Sequence, residues 1–451
     1  MSDPGMRIHV VGAGGAGMSA IAKVLSGIGH TVTGSDLRGG PALDRLRDFG
    51  VETYTGHRVE TATSSDLVVV SSAVPDGDPE VMAARQARIP VWGRPEMLEA
   101  LTKRIPTIGA TGTHGKTTTT SLLISGLRAT GADPSFIVGG DLVTLKTNGH
   151  FGSDDLLVIE ADEAFRTFEN LMLRGLVVTN VEPEHLEHFG TEPELLSSFV
   201  SVASNVDGPV LACADDPGSH QVAQAAGAAT YGMSAGVDWQ IVDYESAAGG
   251  SRFVLRGPDV EQEVEVSRPG KHVARNAGGA LALLASLGHD VSEAARGIAE
   301  FRGVGRRWEH RGTVGGVTLI DDYAHHPTEV AATLSAARDV GSKRLWAVFQ
   351  PHLYSRTERF QREFGEALAL ADVSVVTDVY GAREEPVPGV TGALVAESVV
   401  AHGGVCHYVA HKAELAGFLA GLVEEGDLVV SMGAGDITLL PSELAALLAA
   451  R

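Results

Sequence analysis

Residues 109–118 read Gly-Ala-Thr-Gly-Thr-His-Gly-Lys-Thr-Thr, and no other stretch limits the possible folds as much. They follow Ile105–Ile108, an apolar run with strand character. They open Thr117–Arg128, where Leu122, Leu123 and Leu127 share one helical face. A glycine-rich turn that feeds a helix presents backbone N–H groups and the positive end of the helix dipole to an anion. In such a P-loop Gly112, Thr113, His114, Gly115 and Thr118 wrap the phosphates. Lys116 reaches the outer phosphates, and the Thr117 hydroxyl ligates Mg²⁺. Ala110 stands where the usual first glycine would be, so the pattern is a variant. Strand, phosphate loop and helix in succession predict an α/β domain that takes ATP or GTP. A tight turn with no ligand is the alternative.

At 451 residues the chain exceeds one ordinary core and is expected to form several domains. A net charge of −22 makes it a poor general binder of nucleic acid or membrane surfaces, so neither is expected as a partner. Any anionic substrate must then be held by locally placed arginine, lysine and helix N-termini. Cys213 and Cys406 are the only cysteines, which excludes a disulfide framework and suits a reducing compartment. The start, Met1–Met6, is short and polar, and no apolar run approaches the ~18 residues that span a bilayer. A cytoplasmic location is the expectation.

Strands and helices alternate through the first hundred residues: Arg7–Val11, Met18–Leu25, His30–Gly34, then Leu67–Ser71 and Pro90–Trp92. A second α/β block starts at the P-loop, with strands at Leu156–Glu160, Leu176–Asn180 and Pro209–Cys213, and a helix at Asn276–Leu287. Between these, Asp238–Val266 has the look of antiparallel strands. Glycines and arginines break the periodicity at Gly303–Gly316, and a third block follows, with strands at Thr318–Asp321, Leu345–Phe349, Val373–Thr377 and Leu428–Met432. Three α/β domains are expected, over 1–103, 104–311 and 312–451.

Each block carries polar residues at strand ends, where ligands gather in open parallel sheets. Gly12, Gly14 and Gly17 form G-x-G-x-x-G, and Asp36 closes the next strand. The glycines allow close backbone approach to a diphosphate, and the acid suits a ribose hydroxyl. NAD, a nucleotide-sugar diphosphate and purely structural glycines all satisfy this pattern. Glu160, Asp162 and Glu163 end a strand of the second block, where a carboxylate could hold Mg²⁺. Glu182, Glu184, His185, Glu187 and His188 form a polar cluster without a nearby cysteine, which favours magnesium support over zinc. In the third block Asp321-Asp-Tyr-Ala-His-His326 precedes Pro327, and Gln350-Pro-His-Leu-Tyr-Ser-Arg356 ends the next strand. Arg306 and Arg307, in the linker, could clamp phosphates or form a solvated basic turn.

In this order the motifs resemble the Mur ligase family, along essentially the whole chain. The resemblance rests on Val11–Met18, Gly112–Thr117, Glu160–Glu163, Asp321–Thr328, Gln350–Thr357 and Gly433–Ile437. His114 is similar to the histidine of the alanine-adding and murein-peptide-recycling branches. The resemblance implies three domains: a Rossmann-like amino-terminal one, a central P-loop ATPase-like one and a Rossmann-like carboxy-terminal one. It implies a cytoplasmic ligase of peptidoglycan precursor synthesis, a monomer or weak homodimer. Such a ligase uses ATP and Mg²⁺ to join L-alanine to the lactyl carboxylate of UDP-N-acetylmuramate through an acyl phosphate. By the same resemblance Gly12, Gly14, Gly15, Gly17, Asp36 and Ser71 hold the UDP-sugar. Lys116 serves the ATP phosphates, Thr117 and Glu160 one Mg²⁺, and His185 a second. Asn276 faces adenine, Asp321 the ATP ribose, and Arg307 joins the ATP site. His325 and Arg356 place the amino acid, and His325 handles the proton of its amine.

Four positions depart from the family pattern: Ala164-Phe165 after Glu163, Val273, Leu353, and Tyr380-Gly-Ala-Arg-Glu-Glu385. Leu353 stands where an arginine is usual, which removes one expected carboxylate clamp. Two other readings are carried forward. One is the recycling ligase that attaches a tripeptide to the same sugar acid. The other, from a different class, is an NAD-dependent oxidoreductase built on Gly12–Gly17, which leaves the P-loop unexplained.

Overall fold

The computed structural model describes residues 5–184, 186–247, 249–382 and 384–450, with the side chain of Glu187 left out. Two compact units result. The first comprises Met1–Asp243, Phe253–Glu265 and Arg275–Arg302; the second comprises Tyr244–Arg252, Val266–Ala274 and Gly303–Arg451.

The chain opens with β1 (Arg7–Val11), β2 (Thr31–Asp36), β3 (Glu52–Thr55), β4 (Leu67–Val70) and β5 (Val91–Gly93). They lie in the order β3-β2-β1-β4-β5, and every pair is parallel. This is the doubly wound order whose direction reverses beside β1, and a crevice forms there at the carboxyl ends of the strands. Strands buried on both faces are apolar throughout, as in Leu67-Val-Val-Val70. The helix after β1 spans Ala16–Ile28, longer at both ends than Met18–Leu25. Gly29 stops it in a left-handed conformation, with φ +102°.

The central sheet begins with β6 (Thr107–Thr111), β7 (Ser135–Leu142), β8 (Thr147–His150), β9 (Leu157–Glu160) and β10 (Gly175–Val178). It continues with β11 (Val210–Cys213), β12 (Ala229–Gly232), β13 (Trp239–Ala247), β14 (Gly250–Gly257) and β15 (Val260–Val266). The order is β15-β14-β13-β12-β11-β10-β6-β9-β7-β8. Strand β6 therefore lies between β10 and β9, and the phosphate loop at its end faces the carboxyl ends of both. Two sequence expectations shift here. The strand before the loop runs to Thr111 instead of ending at Ile108, so Gly109 and Ala110 are sheet residues. Gly109 is required by crowding, since a Cβ would lie 2.9 Å from the Ile159 carbonyl oxygen. The helix expected at Asn276 begins at Lys271, which places Asn276 inside it.

The antiparallel hairpin β7–β8, which no periodicity announced, packs on the helix Ala16–Ile28. Lys23 is buried there, and its ammonium donates to Thr147 Oγ1 (3.0 Å) and Asn148 Oδ1 (2.8 Å). Asn148 in turn donates to the Ala16 carbonyl at 2.6 Å. One apolar core runs from Ile8, Ile21 and Leu25 to Ile159, Val178 and Phe199.

In the second unit the strands are β16 (Glu309–Val314), β17 (Val317–Asp322), β18 (Leu345–Phe349), β19 (Val373–Val376), β20 (Cys406–Tyr408) and β21 (Leu428–Met432). Their order is β16-β17-β21-β18-β19-β20. Only the β16 edge is antiparallel, and separate apolar clusters around Leu334 and Leu419 cover the two faces. Among the described residues no helix is long and apolar enough to cross a membrane.

Candidate active site

The phosphate loop is held from the β10 side by bonds that its own sequence does not contain. Thr113 N–H donates to the Asn180 carbonyl (3.0 Å), and His114 N–H to Asn180 Oδ1 (2.8 Å). The Thr179 hydroxyl donates to the His114 carbonyl (2.6 Å), with the Thr111 carbonyl oxygen 3.0 Å away. Gly112 (φ +132°) and Gly115 (φ +84°) make the turn in the left-handed region open to glycine. A Cβ on Gly112 would fall 2.1 Å from Thr179 Oγ1; one on Gly115 would fall 3.0 Å from Asn276 Oδ1. Asn276 thus stands against the loop. Thr118 lies in the first turn of the helix Lys116–Ala129.

On the β9 side lie the acids. Lys116 Nζ donates to both Glu163 oxygens (2.7 and 2.9 Å) and to the carbonyls of Gly112 (2.7 Å) and Thr113 (3.1 Å). Burial pulls the ammonium's pKa down, but Glu163 and Asp162 outweigh it and hold it above its ordinary value. Glu160 accepts from the Gly139 N–H at 2.6 Å and from the Thr117 hydroxyl. Burial nonetheless pushes its carboxyl above the usual range. Thr117 and Glu160, expected to share a Mg²⁺, are therefore neighbours. A hydroxyl and a carboxylate are donors a hard cation accepts. His185, expected at a second Mg²⁺, lies outside the described residues. Beyond Glu163 the chain turns through two left-handed residues, Phe165 (φ +55°) and Arg166 (φ +56°). The half-exposed Phe165 ring meets His188 at 4.5 Å.

Beside the amino-terminal glycines, Asp36 and Ser71 line one cavity. Gly14 N–H donates to Asp36 Oδ2 at 3.0 Å, and Gly12 (φ +78°) packs against Ser71, with a Cβ at 2.9 Å from that of the serine. Gly12, Gly15, Asp36 and Ser71 line a cavity of about 210 Å³, and Gly17 lies in the first turn of the adjoining helix. Sequence reasoning missed its far wall of His57, Asp78 and Glu80. These residues carry no motif: His57 follows β3 in a loop, while Asp78 caps the helix Pro79–Gln86 that comes after β4 and Glu80 lies in its first turn. Glu80 is buried and accepts from Ser35 Oγ (2.8 Å), Arg58 N–H (2.6 Å) and His9 Nε2 (3.1 Å). Burial works to raise its pKa, yet these partners hold it below its usual value.

In the second unit, His325 and Arg356 come close enough for the guanidinium to act electrostatically on the ring, and burial lowers the imidazole pKa. His325 Nδ1 faces the Tyr323 carbonyl (3.0 Å) and Glu329 Oε2 (3.2 Å). Both are acceptors, so Nδ1 carries the proton and Nε2 the lone pair. Arg356 Nη1 meets His352 Nδ1 at 3.2 Å. Arg307 pairs with Glu329 (3.4 Å) and lies over the Tyr323 ring at 5.0 Å. Asp321 is fully buried; it accepts from Thr438 Oγ1 (2.5 Å) and Ser431 Oγ (3.3 Å), with Arg306 Nε 3.8 Å away. Its neighbour Asp322 accepts from the N–H groups of Trp308 and Ala324, and burial raises its pKa to about 6. Leu353, where an arginine is usual, is held at φ +70° at the start of the helix Tyr354–Leu368.

Comparison with known proteins bears on this arrangement. Residues 7–105 match the Mur ligase family catalytic domain, 110–284 the Mur ligase middle domain, and 306–435 the Mur ligase glutamate ligase domain. The UDP-N-acetylmuramate–L-alanine ligase of Kineococcus radiotolerans is 43 % identical, over 99 % of this chain and 97 % of that one. The enzyme of the same name from Rubrobacter xylanophilus is 40 % identical, over 98 % and 100 %. Among solved structures, the UDP-N-acetylmuramate–alanine ligase of Thermotoga maritima superposes with a TM-score of 0.83 at 29 % identity, covering 98 % of both chains. A murein peptide ligase from Psychrobacter arcticus gives 0.70 at 26 % identity, covering 99 % of both. With three domain models matched in sequence and relatives aligned from end to end, this chain belongs to the Mur ligase family.

Proposed function

We propose that this protein is the ATP-dependent ligase that joins L-alanine to the lactyl carboxylate of UDP-N-acetylmuramate. One observation carries the reading: relatives of that name align with this chain from end to end, at 43 and 40 % identity. In the structure the phosphate-loop Lys116 meets the strand-end acids Asp162 and Glu163. The higher TM-score against the alanine ligase favours it over tripeptide recycling. The P-loop, pinned through Thr179 and Asn180, sets aside an oxidoreductase built on Gly12–Gly17.

A carboxylate is no electrophile toward an amine at neutral pH, so it must first be activated. The lactyl carboxylate attacks the γ-phosphate of ATP, ADP leaves, and the acyl phosphate is then opened by the alanine amine with release of phosphate. Lys116 serves the transferring phosphoryl group, exchanging Glu163 for phosphate oxygens. Thr117 and Glu160 would hold Mg²⁺, which supplies charge neutralisation when bound. Asn276 stands beside the loop for the adenosine. On the carboxy-terminal sheet, Arg356 would pair with the alanine carboxylate, and the Nε2 lone pair of His325 would take the amine proton. Arg307 is assigned to ATP. Buried Asp321, bonded to Thr438 and Ser431, is assigned to the ATP ribose. The amino-terminal cavity takes the UDP-sugar. Phosphate release measured with UDP-N-acetylmuramate and each amino acid in turn tests the whole reading. Release that depends on L-alanine is expected; release indifferent to the amino acid, or to the sugar nucleotide, would refute it.

A further inference from the structure

The amino-terminal cavity is chemically lopsided. Its lining contains three carboxylates, from Asp36, Asp78 and Glu80, and neither lysine nor arginine. Such a wall suits ligand groups that donate hydrogen bonds, namely ribose hydroxyls and the N–H of a base. It repels a diphosphate. The turn Gly12–Gly15 and the N-terminus of the helix Ala16–Ile28 offer backbone N–H groups and a dipole equivalent to about half a charge. That is too little to balance two phosphates beside three acids. Arg58, near the cavity, is occupied elsewhere: its guanidinium lies over the Tyr54 ring at 4.8 Å.

A cation does meet the first turn of that helix. Arg94, the first residue of the helix Arg94–Arg104, lies against Gly17 so closely that a Cβ there would be 3.2 Å from its Nε and 3.3 Å from its Cζ. Gly17 is thus the residue that makes room for a guanidinium. Arg94 Nε is shielded from solvent and has no hydrogen-bond partner among the described residues. At the other end of the fork, Nη1 makes a long contact to Asp162 Oδ2, 3.5 Å, and Asp162 Oδ1 lies 3.9 Å from Lys116 Nζ. A buried guanidinium N–H left unbonded is costly, and a phosphate oxygen is the acceptor its planar fork fits best.

We infer that Arg94 binds the diphosphate of the UDP-sugar substrate, supplying, from beside the first turn of the helix Ala16–Ile28, the positive charge that the cavity lining lacks. This rests on the amino-terminal cavity being the sugar-nucleotide site. Asp162 stands between Arg94 and Lys116, so it faces both cations at once.

Calorimetry of UDP, UDP-N-acetylmuramate, uridine and ATP binding to wild type, Arg94→Ala and Arg94→Lys tests it. Arg94→Ala should weaken UDP and UDP-N-acetylmuramate equally, by about tenfold or more, with uridine and ATP unchanged. Arg94→Lys should recover part of the loss, since a lysine keeps the charge but not the fork. Unchanged ATP binding shows that the variant is folded. UDP affinity equal to wild type in a folded Arg94→Ala would overturn the inference. So would a loss confined to UDP-N-acetylmuramate, because the partner would then be the sugar acid. Failure of the wild type to bind UDP would instead remove the reading of the cavity on which the inference stands.

Discussion

Gly112→Ala offers a test in which the structure sets both direction and size. Gly112 has φ +132°, a conformation that costs a residue with a side chain about 1–3 kcal/mol. Its new methyl would fall 2.1 Å from Thr179 Oγ1, and 2.8 and 3.0 Å from the carbonyl oxygen and nitrogen of Asn180. Two of these three atoms are backbone, next to Thr179, whose N–H bonds the Thr111 carbonyl, so they cannot swing aside as a side chain can. Overpacking of this kind adds about 1–3 kcal/mol. The loop relieves both strains by leaving β10, which forfeits the Thr113 and His114 N–H bonds to Asn180 and opens the anion cradle. Even the lower end of the sum, about 2 kcal/mol, corresponds to roughly 30-fold weaker ATP binding. Calorimetry should show this loss with UDP affinity retained, because the amino-terminal cavity does not use these contacts. Adding Thr179→Ala removes the closest clash but leaves the φ and the Asn180 carbonyl, so the double variant should recover part of the affinity. A coupling of about 1 kcal/mol between the two changes is expected. ATP binding and melting temperature both equal to wild type in Gly112→Ala would refute the loop geometry.

Lys116→Ala should reduce phosphate release by the ~3 kcal/mol of a lost transition-state stabiliser, above a hundredfold, while UDP affinity is unchanged; near-normal turnover would disprove the P-loop assignment. Leu353→Arg should lower the KM for L-alanine about fivefold, the worth of one charge-assisted contact of ~1 kcal/mol; a raised KM there and in Arg383→Ala would transfer the carboxylate to Arg383. Asp322, held at about 6 against an ordinary 3.8, binds its proton more tightly folded than unfolded. Stability is therefore greatest below pH 4 on this account and falls by up to about 3 kcal/mol as pH rises through 6. Asp322→Asn should flatten that fall, read from urea midpoints by tryptophan fluorescence at pH 4.5 and 7; an unchanged profile would refute it.

Features whose physics is local were legible in the chain alone. A turn that must pass through positive φ beside an anion needs glycine at fixed places, which made Gly12–Gly17 and Gly112–Gly115 legible. Strands buried on both faces read as apolar runs, so β1, β4, β18 and β21 were visible, and the acids Glu160, Asp162 and Glu163 stood out at a strand end. The tertiary structure decided what these groups touch. Because β6 lies between β10 and β9, the loop meets Thr179 and Asn180 on one side and Glu160–Glu163 on the other. No spacing in the chain reveals either neighbour. Glu163 read as one acid among three until the sheet order placed it on Lys116. The hairpin β7–β8 went unseen because its burial against Ala16–Ile28, not any alternation of its own, makes it a strand pair. Arg94 carried no signal at all: a guanidinium on one helix acquires meaning only when another helix, opened by a glycine, is packed beneath it.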